Sequence, residues 1–175
     1  MTKILIVYST RDGQTLKICQ TLKSEIETVS HQVTLTPLDA ADAIDFSQFD
    51  KIVIGASIHY GHHDVRIHAL VKRNLTLLNS KPSAFFSVNI VARKPGKNTP
   101  ETNPYLLKFL KKIDWKPKLL AVFAGKLDYP SYSAFDRGMI RFIMWLTKGP
   151  TNPEAVIEFT DWQQVQAFAQ QVIKM

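Results

Sequence analysis

Apolar residues along the chain fall into short continuous runs, separated by longer stretches in which they recur every three or four positions. The runs Lys3 to Tyr8, Gln32 to Thr36, Lys51 to Gly55, Ala84 to Asn89 and Leu119 to Gly125 read as strands buried on both faces. Between most of them the spacing predicts helices over 15–29, 64–79, 100–112 and 161–174, the last capped by Thr160 or Asp161. Strands alternating with helices dictate an α/β fold, a doubly wound parallel sheet of five strands. The order 2-1-3-4-5 suits this rhythm, and it places a ligand crevice beyond the carboxyl ends of strands 1, 3 and 4.

One interval breaks the rhythm. After Leu119 to Gly125 about 30 residues, 126–155, precede Val156-Ile157-Glu158-Phe159 and Trp162. An insertion splitting the last strand, within a single domain spanning 1–175, explains the interval. Inside it, helical spacing over 134–148 puts Arg137, Arg141 and Lys148 on one stripe, with Phe142, Ile143, Trp145 and Leu146 around the rest. That pattern predicts an interfacial helix, too short to span a bilayer, whose basic stripe meets lipid phosphates. Packing against the sheet edge or against a second copy in a homo-oligomer stays open at this stage.

Charge sharpens the expected partners. The formal net charge is +7 over 175 residues, which favours an anionic partner: lipid, nucleic acid or a carboxylate-bearing substrate. The amino terminus enters a strand directly and has no basic region followed by a long apolar stretch, so cytosolic synthesis is expected. Cys19 is the sole cysteine and shares an apolar stripe with Leu16, Leu22, Ile26 and Val29, which makes it a core residue and excludes an internal disulfide. His59, His62, His63 and His68, with Asp64, match no familiar ligand spacing, so no metal is expected.

The three strand ends that meet at the crevice are chemically distinctive. Ser9-Thr10-Arg11-Asp12-Gly13-Gln14-Thr15 joins a strand to a helix through hydroxyls and a glycine, a composition that cradles an anion at a helix N-terminus. No lysine follows Gly13 as a Walker loop demands, and one glycine falls short of a dinucleotide fingerprint. A carboxylate cluster of the kind a phosphoryl receiver needs is also missing. The loop therefore suits the terminal monophosphate of a nucleotide-like cofactor, FMN first among them. The other two ends are 56–63, rich in histidine, and 87–94, ending in Arg93 and Lys94.

These segments, extended by Val53-Ile54-Gly55-Ala56-Ser57-Ile58, Pro82-Ser83-Ala84-Phe85, Val91-Ala92-Arg93-Lys94-Pro95, Tyr129-Pro130, Asp136-Arg137 and Thr160-Asp161-Trp162, resemble the quinone-dependent protoporphyrinogen oxidases (dehydrogenases) of bacterial haem synthesis, built on a long-chain flavodoxin-like scaffold. The resemblance covers nearly the whole chain, and His59 stands where the family pattern has arginine. It implies oxidation of protoporphyrinogen IX to protoporphyrin IX, with electrons passed through FMN to a membrane quinone, on the cytoplasmic side of the inner membrane as a peripheral protein. It also implies that Ser9, Thr10, Arg11, Asp12, Gly13, Gln14 and Thr15 hold the FMN phosphate. Ser57, Ile58, His59 and Tyr60, with Ser87, Val88 and Asn89, then frame the rest of the cofactor.

Arg93 and Lys94, with Lys97 beyond, are expected to pair with substrate propionates. His62 or His63 is the candidate proton acceptor, and Arg137, Arg141, Phe142, Trp145 and Lys148 are the expected membrane or quinone contacts. A soluble flavodoxin-type electron carrier is the main rival, although such carriers are typically acidic. An NAD(P)H:quinone reductase is another. A nucleic-acid partner is not expected, since the basic positions lack aromatic stacking partners.

Overall fold

The computed structural model describes residues 1–175. In chain order its elements are β1 (Lys3–Ser9), α1 (Gln14–Glu27), β2 (Gln32–Pro37), β3 (Lys51–His59), β4 (His62–His63), α2 (Val65–Arg73), α3 (Leu75–Ser80), β5 (Ser83–Val88), α4 (Pro104–Leu110), β6 (Leu119–Phe123), β7 (Lys126–Asp128), α5 (Ala134–Leu146), β8 (Val156–Glu158) and α6 (Trp162–Lys174). The main sheet runs β2-β1-β3-β5-β6, all parallel, which is the expected spatial order of the five long strands.

Burial on both faces explains the uninterrupted apolar strands. On one face β1 and β3 meet Ile18, Cys19, Leu22 and Ile26 of α1 and Val165, Phe168 and Val172 of α6. On the other they meet Ile67, Leu70 and Val71 of α2, Leu78 of α3, Leu106 and Phe109 of α4, and Trp115. Cys19 is fully buried, and desolvation pushes its thiol pKa up, as expected of a core residue.

Several boundaries differ from the periodicity, each for a local reason. The helix expected over 64–79 breaks at Asn74, which ends α2 and opens α3 while its side-chain amide donates to the Leu70 carbonyl at 3.0 Å. The helix expected from 100 begins at Pro104 instead. Residues 99–103 form a turn, and Asn103 accepts from the Tyr105 and Leu106 N–H groups. Val29 lies beyond the end of α1 and is exposed. Asp161, not Thr160, caps α6, taking bonds from the Gln163 and Gln164 N–H groups.

Two departures shape the crevice. β3 continues to His59 and turns back at Tyr60-Gly61 to pair His62–His63 against Ile58–His59. Both turn residues have positive φ, 49° and 81°, the geometry of a two-residue type I′ hairpin that glycine adopts freely and tyrosine does not. The insertion, in turn, does not simply interrupt one strand. The chain leaves β6 through β7 and returns as β8, and these two pair antiparallel as a ribbon beside the parallel sheet. Leu127, Tyr129 and Met144 give the insertion a small core of its own, packed with Ile90, Ile140 and Phe159.

Candidate cofactor and substrate site

The carboxyl ends of β1, β3 and β5 converge on a cleft of about 340 Å³ lined by Thr10, Asp12, Gln14, Thr15, Ser57, Ile58, Val88, Asn89, Ile90, Gly125 and Lys126. Its floor is the start of α1. Gly13 caps that helix in the left-handed conformation (φ 80°), a geometry a Cβ would strain, and its N–H donates to Thr10 Oγ1 at 3.0 Å. The N–H groups of Gln14, Thr15 and Leu16 have no backbone acceptor. Thr15 Oγ1 is the one buried side-chain polar atom in the chain without a hydrogen-bond partner.

An unsatisfied buried hydroxyl costs about 1–3 kcal/mol, so its retention beside a row of free N–H donors points to a ligand acceptor. Free amides, a helix N-terminus and a hydroxyl form a donor set for a phosphate monoester. Desolvation holds the Asp12 carboxyl above its ordinary pKa, with Arg11 and His59 pulling the other way. The residues present thus fit the monophosphate end of FMN.

Not every residue lining the cleft has its polar side-chain atoms free for a ligand. Gln14 turns its amide away, donating to Glu158 Oε1 and to Thr160 Oγ1, both at 2.9 Å, while Thr160 donates to the Ala124 carbonyl. Lys17 adds an ion pair to Glu158 at 3.0 Å. Gln14 is therefore a brace between the phosphate loop and the returning end of the insertion, a role that residues 144 positions away hid from sequence reading.

Ser87 and Asn89 are likewise engaged elsewhere. Ser87 Oγ lies 2.8 Å from His63 Nε2 and accepts from Asn89 Nδ2. Asn89 and Asn103 exchange amide bonds, and Asn89 also caps the turn at Ala92. Their side chains hold the 89–94 loop, leaving the backbone of Val88, Asn89 and Ile90 to face the cleft. Ser57 and Ile58 line it as expected. Neither Asn103 nor Thr160 was singled out beforehand as a site residue, although Asn103 before Pro104 is a helix-start signal.

The two histidine candidates separate sharply. His63 is 3% exposed, packed edge-on against Phe85 and Phe109, and its pKa is depressed to about 3 by burial and by His68 and His62. It is neutral at physiological pH and removed from solvent, so the structure corrects its candidacy as a proton acceptor. His62 is exposed, its Nδ1 3.0 Å from the Tyr60 carbonyl. Tyr60 is 52% exposed at the hairpin tip, its ring 3.8 Å from that of His59 and its hydroxyl donating to Asp136 of α5. The hydrogen bond from Tyr60 lowers the Asp136 pKa, and the same bond raises that of Tyr60.

The basic candidates need the most revision. Arg93 is half-buried beneath the insertion: its guanidinium donates to the Ile90 carbonyl at 3.1 Å and to Thr147 Oγ1 at 3.3 Å, 6.0 Å from the centre of the Phe159 ring. Those contacts make it a structural tie and not a free propionate partner. Lys94 is partly exposed, with its pKa lowered by desolvation and by Arg93 and Lys97.

On α5, Arg137 donates to the carbonyls of Tyr129, Pro130 and Tyr132, and Arg141 to that of Thr151. The expected outward basic stripe is thus folded back onto the insertion's own backbone. What α5 shows to solvent is mostly apolar, Phe135, Phe142, Ile143, Trp145 and Leu146 beside the exposed Arg141, with Lys148 exposed just past its end. No helix is long and apolar enough to cross a membrane.

Comparison with known proteins agrees with this geometry. A family model described as a flavodoxin domain matches residues 5–154. Over 170 residues the chain is 45% identical to protoporphyrinogen IX dehydrogenase (quinone) of Escherichia coli strain K12, covering 97% of this chain and 94% of that one. The chain belongs to that family, on a flavodoxin domain. A Leishmania major protein of the same name is 43% identical over 169 residues, covering 95% of this chain and 73% of its own length. Among solved structures, oxidised flavodoxin 1 of Bacillus cereus aligns with a TM-score of 0.57 at 12% identity over 99% of this chain and 98% of its own. The two-electron reduced Megasphaera elsdenii flavodoxin aligns at 0.58 and 10% identity, over 98% and 99%. At such identities these likenesses establish the flavodoxin fold of the family member described here.

Proposed function

We propose that this chain oxidises protoporphyrinogen IX to protoporphyrin IX with FMN as its cofactor and a membrane quinone as electron acceptor. The partnerless Thr15 hydroxyl at the head of α1 carries the cofactor assignment, and the family membership supplies the substrate and acceptor. FMN held in this cleft would supply the acceptor for hydride from a bridging carbon of the porphyrinogen and the relay of its electrons to quinone.

The protein's part is to bind and orient. Thr10, Thr15 and the free N–H groups of the first turn of α1 hold the phosphate. Ser57, Ile58 and the backbone of Val88 to Ile90 frame the cofactor's remaining length. Three two-electron oxidations are needed, each releasing one proton along with the hydride equivalent; net, two of the protons come from pyrrole nitrogens and one from the fourth bridging carbon. His62, exposed on the hairpin beside the cofactor cleft, is the histidine proposed to accept such a proton.

The quinone and the macrocycle of the porphyrinogen, its propionates apart, are both apolar, and the insertion supplies the meeting place. The outward face of α5, with Phe142 and Trp145 at 58% and 66% exposure, beds into the acyl boundary of the cytoplasmic leaflet. The net charge of +7 and Lys148 hold the protein on anionic lipid. Peripheral attachment of this kind brings the crevice end of the sheet to the bilayer, because α5 and the crevice lie at the same end of β6.

The test is anaerobic mixing of FMN-loaded protein, protoporphyrinogen IX and a menaquinone analogue, followed by porphyrin fluorescence. Quinone-dependent growth well above the no-enzyme control is expected. Growth no faster than the controls, with FMN bound, refutes the reading.

A further inference from the structure

With Arg93 tied beneath the insertion, the residue that reads the substrate's carboxylates must lie elsewhere. A second, open cleft of about 750 Å³ adjoins the first, sharing Thr10 and Ser57 with it, on the far side of the β3 end. Arg11, His59, His62, Val65 and Arg66 line it.

The arginines of the chain can be sorted by what they hold. Arg66 pairs with Asp64 and Asp39, and Arg73 with Asp42. Arg93, Arg137 and Arg141 donate to backbone carbonyls, Arg93 also to the Thr147 hydroxyl. Arg11 makes no ion pair and no hydrogen bond within the chain, and it is exposed. Its charge nevertheless reaches the groups around the cleft mouth, depressing the pKa of His59 after burial has done so and adding to the lowering of Asp136. Arg11 therefore stands at the junction of the two clefts as a guanidinium with all its donors free.

The phosphate end of the cofactor site is already supplied with hydroxyls and amides, and Arg11 lines the second cleft instead of the first. A planar fork of N–H donors matches a carboxylate in bidentate fashion. The full charges of the proposed substrate are its propionates, so a largely apolar macrocycle lying over the cofactor would extend a carboxylate toward this side of the β3 end. Its ring would also shield the pair from water, which strengthens a contact worth little when exposed.

We infer that Arg11, in the cleft between the β1 end and the Tyr60 hairpin, is the specificity residue that binds a propionate carboxylate of the tetrapyrrole. The inference rests on the function proposed above and adds the residue that recognises the substrate. The Tyr60 hydroxyl and His62 Nδ1 nearby are already engaged, with Asp136 and with the Tyr60 carbonyl, which leaves Arg11 the carboxylate's donor on this side.

The experiment compares protoporphyrinogen IX with its dimethyl ester, in detergent, for the FMN-loaded wild type, Arg11→Lys and Arg11→Gln. For Arg11→Gln, KM for the diacid should rise about tenfold, the scale of one charge-assisted hydrogen bond. KM for the ester should move much less, with Arg11→Lys in between. Equal changes for both substrates, no change for either, or loss of FMN binding in Arg11→Gln each overturn the inference.

Equilibrium binding of the product porphyrin and its dimethyl ester, read by porphyrin fluorescence, makes the same comparison without turnover. If the wild type turns over neither substrate but Arg11→Gln loses its preference for the diacid porphyrin, the proposed reaction fails and the carboxylate site stands. If turnover is normal and the preference is untouched, the reverse holds.

Discussion

Thr15 and His63 are both buried polar residues at the head of the crevice, and their hydrogen bonding gives them opposite roles. Thr15 Oγ1 lacks any partner, so Thr15→Val removes a liability from the ligand-free protein while deleting a donor to the phosphate. Thermal stability without FMN should hold or rise, and FMN affinity, measured by quenching of flavin fluorescence, should fall at least about tenfold.

His63 is satisfied by Ser87 and kept neutral, burial pushing its pKa down to about 3 from the ordinary histidine value of 6.5. Between those values the unfolded chain binds a proton that the folded chain does not, so stability falls as pH drops from 6.5. The slope from this group approaches about 1.4 kcal/mol per pH unit. Below about 3 both states are protonated and the contribution is flat. Urea unfolding at pH 6.5, 5.5 and 4.5 should show this slope in the wild type and lose it in His63→Gln.

Sequence legibility at this scale followed the distance of the partner. The Ser9 to Thr15 loop was readable because its chemistry is contiguous. The internal partners of the Gln14, Ser87 and Asn89 side chains were not legible, because Glu158, His63 and Asn103, the groups that engage them, are distant along the chain.

Among the elements, α5 departs most from its pattern. Helical spacing identified it and its apolar side, yet long arginine side chains curl to whatever acceptors lie near, and the carbonyls of Tyr129, Tyr132 and Thr151 took Arg137 and Arg141. On the proposed membrane attachment, apolar area and not the arginine stripe would carry the lipid contact. Replacing Phe142 and Trp145 together by serine should cut binding to anionic vesicles by at least about tenfold, since each exposed aromatic side chain offers large apolar area. The melting temperature should stay within a few degrees, because neither residue is buried. Co-sedimentation with the vesicles measures the first and a thermal melt the second. Unchanged vesicle binding would assign the face to another occupant, a second copy of the chain foremost.

At the scale of the molecule, the strand order and both covered faces were legible because buried parallel strands leave continuous apolar runs. The β3–β4 hairpin was not, since Tyr60-Gly61 lacks the usual asparagine or aspartate of a type I′ turn. The β7–β8 ribbon escaped notice because its strands are short and far apart in sequence. Together these two features bring the Tyr60 hydroxyl to Asp136 across the mouth of the crevice, joining the sheet end to the insertion.

On the proposed function, one flavin in this crevice relays electrons from tetrapyrrole to quinone. Splitting the anaerobic reaction into halves tests it most directly, by following flavin absorbance on rapid mixing. Protoporphyrinogen IX alone should bleach the bound flavin, a menaquinone analogue added afterwards should restore it, and NADPH should do neither at a comparable rate. Bleaching by NADPH with none by protoporphyrinogen IX would contradict the claim and make the protein a nicotinamide-linked quinone reductase on the same fold.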